Sequence, residues 1–248
     1  MFIFTHVPRT GGTSFRFHFQ NEIKKNIKVE VHKKYFLNKK YNLKNNVFYI
    51  QGHIPYGIHK CFNNINEKEC KYITFLRDPI DRWISFFNLE MNRKKKYMKE
   101  KLWKQKAKQN IDKFLKICIE KEIHSNIIVK QLSGLEKNKD IKDKKGVWAY
   151  TWASREKKYT NNEMIKMMNK AENNLLNNYF FIGYVDNYQE DINRLYNIFG
   201  VKSFNIKNLY GRKGVKGKYD KYLKNNKLVY ELNKYDIELY KRLHKKNK

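Results

Sequence analysis

Arg9, Thr10, Gly11, Gly12, Thr13 and Ser14 put a fixed positive charge, two glycines and three hydroxyls into six consecutive positions. A small-residue turn of this kind exposes successive backbone N–H groups, and a helix opening behind it adds its positive end. The natural ligand of such a turn is a phosphate or a sulfate. Gly11 and Gly12 let the backbone approach an anion with no Cβ in the way. Thr13 and Ser14 add hydroxyl donors, and Arg9 adds a planar guanidinium fork. The plain alternative is a strand-to-helix turn, in which Gly, Thr and Ser are common anyway. The pattern GxxxxGK[ST] of nucleoside-triphosphate loops is not met, because no Lys follows Gly12 directly.

Histidine is the side chain best placed to move a proton near neutral pH. His53 follows a short apolar run, Val47 to Ile50, and stands where a strand would end. His18 lies four residues beyond Ser14, on the same side of a helix opening there. A surface histidine at a strand end is the commoner fate of a residue like His53. His6 is expected to be buried on the first strand, and His59 belongs to no motif. The histidines lack metal-ligand spacing and no CxxC pair exists, so no metal is implied. Cys61, Cys70 and Cys118 make no even framework; Cys61 and Cys70 could pair, but so few cysteines fit a reducing compartment better.

The elements that must carry these residues alternate. Residues 2–7 form an apolar run of strand formers ahead of the glycine turn, and a helix is expected from Thr13 to about Lys25. Short strands are expected at Val29–His32, at Val47–Ile50 and at Tyr72–Leu76, and another at Tyr179–Val185. Pro79 suits the first turn of a helix running to about Tyr97. Apolar spacing of three and four predicts helices over Phe114–Ile119, Ile123–Leu135, Asn161–Asn177, Asn187–Phe199 and, as one long helix, Asn225–Lys245. Trp148, Tyr150 and Trp152 cluster, either as packing or as a platform for a sugar face. Strands alternating with helices predict an α/β fold: a mainly parallel, P-loop-like sheet flanked by helices on both faces. Ligands bind at the carboxyl edge of such a sheet. No linker or repeat splits the chain, so residues 1–248 are expected to form a single domain.

The charge is lopsided: 54 Lys and Arg face 24 Asp and Glu, a net +30. Such a field attracts polyanions, whether glycan, lipid surface, nucleic acid or nucleotide. A solvated lysine-rich surface accounts for it equally well. With 41% hydrophobic and 15% aromatic residues the chain is globular rather than disordered. No signal peptide and no run of about 18 apolar residues is present, which leads to an expected cytoplasmic location.

Three segments share one further property. HVPRTGGTSF, LRDPIDRWISFF and YGRKGVKG resemble, in order, the nucleotide-binding signatures of the sulfotransferase superfamily, which uses 3′-phosphoadenosine 5′-phosphosulfate (PAPS). The first resembles the 5′-phosphosulfate loop. In the second, the resemblance assigns Arg77 and Ser85 to the 3′-phosphate. The third looks like the RKGxxG loop that closes over the nucleotide, which assigns Arg212, Lys213 and Gly214 to the same phosphate. The wider ordering, with YIQGH, SNIIVKQLSGL and FIGYVDNYQEDINRL, looks like the carbohydrate (heparan sulfate 2-O-like) sulfotransferases and their bacterial relatives. There a His after Gly serves as base, which points to His53 here, with His18 as runner-up. Arg9 departs from the usual Lys: it can stabilise charge but does not readily give up a proton.

The resemblance implies in-line sulfuryl transfer from PAPS to a hydroxyl, with 3′-phosphoadenosine 5′-phosphate (PAP) as product. The acceptor it implies is a saccharide or glycoconjugate. The chemistry it implies needs no metal; no specific nucleic acid partner and no transmembrane segment are expected, though the basic charge is compatible with peripheral contact with an anionic surface. A P-loop nucleotide kinase and a non-catalytic polyanion- or RNA-binding protein are the competing readings; the first lacks its Walker Lys and the second any RNA-binding signature. Oligomeric state is not readable from the residues.

Overall fold

The computed structural model describes residues 1–15, 19, 28–31, 47–92, 105, 107, 110–134, 157–200 and 217–246. Its centre is a five-stranded sheet in the order β2-β3-β1-β4-β5. The strands are β1 (Phe2–Thr5), β2 (Lys28–Val31), β3 (Val47–Gly52), β4 (Lys71–Leu76) and β5 (Tyr179–Tyr184). Every pairing is parallel. This is the expected α/β architecture.

All four residues of β1 are buried, because the strand is central and covered on both faces. Phe2 and Phe4 join Phe15, Phe19, Phe75 and Tyr196 on one face. Ile3 joins Ile50, Ile58 and Tyr72 on the other. The apolar run therefore splits by a period of two, as a strand requires.

The helices are α1, described over residues 12–15, α2 (Pro79–Asn92), α3 (Ile111–Glu120), α4 (Ile127–Leu132), α5 (Asn161–Asn177), α6 (Tyr188–Ile198), α7 (Asp220–Lys224), α8 (Lys227–Leu232) and α9 (Lys234–Lys246). Asp78 starts α2: its Oδ1 accepts the N–H groups of Ile80 and Asp81, both at 2.9 Å, with Pro79 in the first turn. A capping box between Thr160 and Glu163 starts α5.

Two expected helices are corrected. The long helix over Asn225–Lys245 is two, α8 and α9, broken at buried Asn233. The Asn233 amide donates back to the Val229 carbonyl at 2.9 Å and its oxygen accepts from Arg82, so the side chain replaces the helical ladder. The helix expected from Ile123 begins only at Ile127, because Glu122, His124 and Asn126 hold positive φ angles. Asn126 uses that turn to accept the N–H groups of Tyr235 and Asp236, and so caps α9. In return Asp236 caps α4, accepting from Ile128 at 3.0 Å and Val129 at 2.8 Å.

Cys61, Cys70 and Cys118 are free thiols, and burial pushes the Cys61 thiol up to about 11. Among the described residues no helix is long and apolar enough to cross a membrane.

Candidate functional site

Strand order decides what can meet. β3, β1 and β4 are neighbours, and their carboxyl ends release His53, the glycine loop and Arg77 along one edge of the sheet. That edge, beside the crossover from β3 over β1 to β4, is where open parallel sheets bind ligands.

The loop is held by its own side chains. The Thr10 hydroxyl, fully buried, donates to the Val7 carbonyl at 2.8 Å. Arg9 sits at φ 71° and Gly11 at φ 73°. The left-handed region costs a non-glycine residue about 1–2 kcal/mol, so Arg9 is held there by its surroundings. The Gly11 carbonyl accepts Phe15 N–H at 3.1 Å, which opens α1, and also the Tyr188 hydroxyl at 2.8 Å. Thr13 is exposed and Ser14 half-buried at the start of that helix, where first-turn N–H groups lack intrahelical acceptors.

The glycines have a second purpose that spacing does not reveal. A Cβ on Gly11 would lie 2.7 Å from the Tyr188 ring, and one on Gly12 only 2.1 Å from the His6 ring. The vacated space is filled by those two rings, which brace the loop from either side. His6 itself lies just past β1 and is half-buried, a correction to its expected burial within the strand.

Arg9 reaches across to α2. Its Nε and Nη2 both donate to Ser85 Oγ, at 3.1 and 2.9 Å. The first and second sequence segments are therefore in direct side-chain contact. Arg77 is half-buried at the end of β4, and no described carboxylate pairs with it. Asp78 beside it spends its carboxylate on the α2 cap. One turn beyond Ser85, Asn88 donates to Asp220 at 2.7 Å, and Asp220 accepts the Gly217 N–H at 2.9 Å. A Cβ on Gly217 would meet Asn88 Oδ1 at 2.0 Å. The last residue of the third segment is thus seated on the same helix as Ser85. Arg212, Lys213 and Gly214 lie outside the described residues, as do His18, Trp148, Tyr150 and Trp152.

His53 Nδ1 lies 2.8 Å from the His6 carbonyl. A carbonyl can only accept, so Nδ1 carries the proton, and in the neutral ring Nε2 is the basic nitrogen. The ring stacks on His6 with centroids 4.4 Å apart and planes at 27°. His59, by contrast, is buried on a different cluster, 2.7 Å from the Tyr72 hydroxyl, and burial lowers its pKa.

Sequence reasoning did not single out Tyr188, Gln131, Asn88 or Asp220. Only Asn88, three residues after Ser85 on one helix, carried a local signal. A lysine-rich groove of about 800 Å³ runs between α3 and the α7–α8 corner, lined by Lys116, Lys218, Lys221, Lys227 and Tyr222.

Backbone donors, two arginines and an imidazole on one edge suit transfer of an anionic group to a hydroxyl. No curated protein matches the chain. A family model described as the sulfotransferase family matches residues 1–248. The chain accordingly belongs to the sulfotransferase family, along its whole length.

Proposed function

We propose that residues 1–248 form one catalytic domain that moves the sulfuryl group of PAPS to a saccharide hydroxyl, with His53 as the base. The observation that carries this reading is the Arg9–Ser85 contact, which joins the glycine loop to the helix after Arg77. The residues fit a doubly phosphorylated nucleotide. N–H groups of residues 10–14 and the Arg9 guanidinium would hold the 5′ end. Arg77, Ser85, Arg212 and Lys213 would hold the 3′-phosphate, with Gly214 giving backbone access. The three free thiols fit a reducing, cytoplasmic setting.

PAPS supplies the sulfuryl group. In the transfer, His53 Nε2 takes the acceptor's hydroxyl proton as the new oxygen–sulfur bond forms. The bond between sulfur and the bridging phosphate oxygen breaks, and Arg9 stabilises the negative charge that builds there. A donor of that kind is worth about 10²-fold or more in rate. Being an arginine, Arg9 contributes charge and not a proton.

Arg77→Ala tests the nucleotide assignment. It is expected to weaken PAP binding by about 10- to 100-fold, the loss of a charge-assisted contact. Adenosine 5′-phosphate, which lacks the 3′-phosphate, should bind as before. Calorimetric titration of both ligands checks this, and equal losses contradict it. Transfer of labelled sulfate to a panel of glycans, lipids and phenols tests the acceptor; labelling of phenols alone would remove the saccharide.

The lysine groove supports an anionic saccharide, because Lys116, Lys218, Lys221 and Lys227 frame an exposed tyrosine ring. Asp112 there is occupied by the Tyr222 hydroxyl at 2.6 Å and the Asn226 amide at 2.8 Å, which hold its carboxyl below the usual range. Charge reversal at Lys218, Lys221 and Lys227 together should raise KM for an anionic polysaccharide by about tenfold at low salt, and by much less in 1 M salt. KM for PAPS should stay unchanged; a parallel rise in both would argue against the groove.

A further inference from the structure

His53 is bracketed on both sides. Before it, the Gly52 carbonyl accepts the His6 N–H at 2.8 Å. After it, the Ile54 carbonyl accepts Gln131 Nε2 at 3.0 Å. The same Nε2 donates its second proton to the His6 carbonyl, also at 3.0 Å. That carbonyl is the one His53 Nδ1–H donates to. One amide nitrogen therefore uses both hydrogens to tie the end of β1 to the turn after β3, with His53 between them.

The clamp is mounted on something rigid. Gln131 is fully buried, on the helix α4 whose six residues are all buried. The far end of α4 is fixed by the Asp236 carboxylate. The Gln131 backbone carbonyl accepts the Tyr56 N–H at 3.4 Å, a third tie to the same turn.

We propose that Gln131 is a positioning residue that keeps the His6 carbonyl aimed at His53 Nδ1, so that Nε2 faces the acceptor as the unprotonated nitrogen. A free imidazole in water prefers the opposite tautomer, with its proton on Nε2, and in that form the atom facing the acceptor could not accept a proton. Which tautomer is present is set by the hydrogen bond made at the other nitrogen. Gln131 touches neither substrate; it acts through the carbonyl. The role rests on the assignment of His53 as base.

The test is nitrogen NMR on the full chain with labelled histidine, the His53 signals being identified by their loss in His53→Asn. Wild-type His53 should show a protonated Nδ1 and an unprotonated Nε2 at neutral pH. Gln131→Met keeps the length and removes both donors. It is expected to average the two nitrogen signals and lower kcat by about 10- to 100-fold, with PAP affinity within about twofold. Unchanged kcat in that variant, or a lowered kcat with an unchanged His53 spectrum, overturns the proposal. If the variant does not fold, the wild-type spectrum still decides: a proton on Nε2 defeats the clamp. Absence of sulfuryl transfer by the wild type would defeat the proposed activity, while the spectra would still report on the clamp.

Discussion

His53→Ala lowers turnover by about 10²- to 10⁴-fold, the usual worth of a positioned general base, and leaves PAP affinity within about twofold. Affinity is spared because the candidate phosphate ligands belong to the glycine loop, the end of β4, α2 and the third sequence segment, whereas His53 hangs from the turn after β3. Its ring bonds to a backbone carbonyl and stacks on His6, and neither contact holds an anion. Initial rates of labelled sulfate transfer, paired with PAP calorimetry, measure the two effects separately. Added imidazole should restore part of the rate by entering the vacated space. Full activity in the variant would move the proton to His18. A matching collapse of PAP affinity would mean that His53 braces the loop through His6, whose ring fills the space a Gly12 Cβ would need.

Asp236→Ala is the substitution expected to cost most in stability. Its carboxylate is fully buried, caps α4 through two N–H groups and lies 4.0 Å from the fully buried Arg82. Burial pushes the Asp236 carboxyl up, and Arg82 with the two N–H groups offsets only part of that rise. Removing the carboxylate leaves an uncompensated buried guanidinium, a loss of about 3–5 kcal/mol. In a chain of this size that is a fall in Tm on the order of 10 °C. Among the described residues, Arg82 Nε and Nη1 already have no hydrogen-bond partner. Arg82→Met, Asp236→Leu together should therefore cost less than Asp236→Ala alone, since no charge is stranded. Chemical denaturation of the wild type and the two variants decides it; a loss below about 1 kcal/mol for Asp236→Ala would show the pair to be energetically idle.

Both predictions involve residues of very different visibility. His53 could be picked out because a strand of β-formers ends in front of it and its Gly-His pair resembles the family's base, and both are local features of the sequence. Asp236 could not. It sits in what reads as an unbroken amphipathic helix from Asn225, and its importance comes from α4, more than a hundred residues earlier. The same holds for the left-handed residues His124 and Asn126, which apolar spacing alone reads as helix.

What the amino-acid order determined by itself is everything that depends on neighbours within about one helical turn. The buried run of β1, the glycine turn, the Asp-Pro start of α2 and the periodicity of α5 are of this kind, and so is the parallel α/β class that they add up to. Tertiary structure alone decided the partners. Arg9 meets Ser85 across 76 positions, Gln131 reaches His6 across 125, and Asn88 takes Asp220 across 132. No local rule spans such distances, because side chains that far apart meet only once the sheet has put β3, β1 and β4 side by side. Residue types announce which chemistry is available; strand order decides which of those residues stand close enough to perform it.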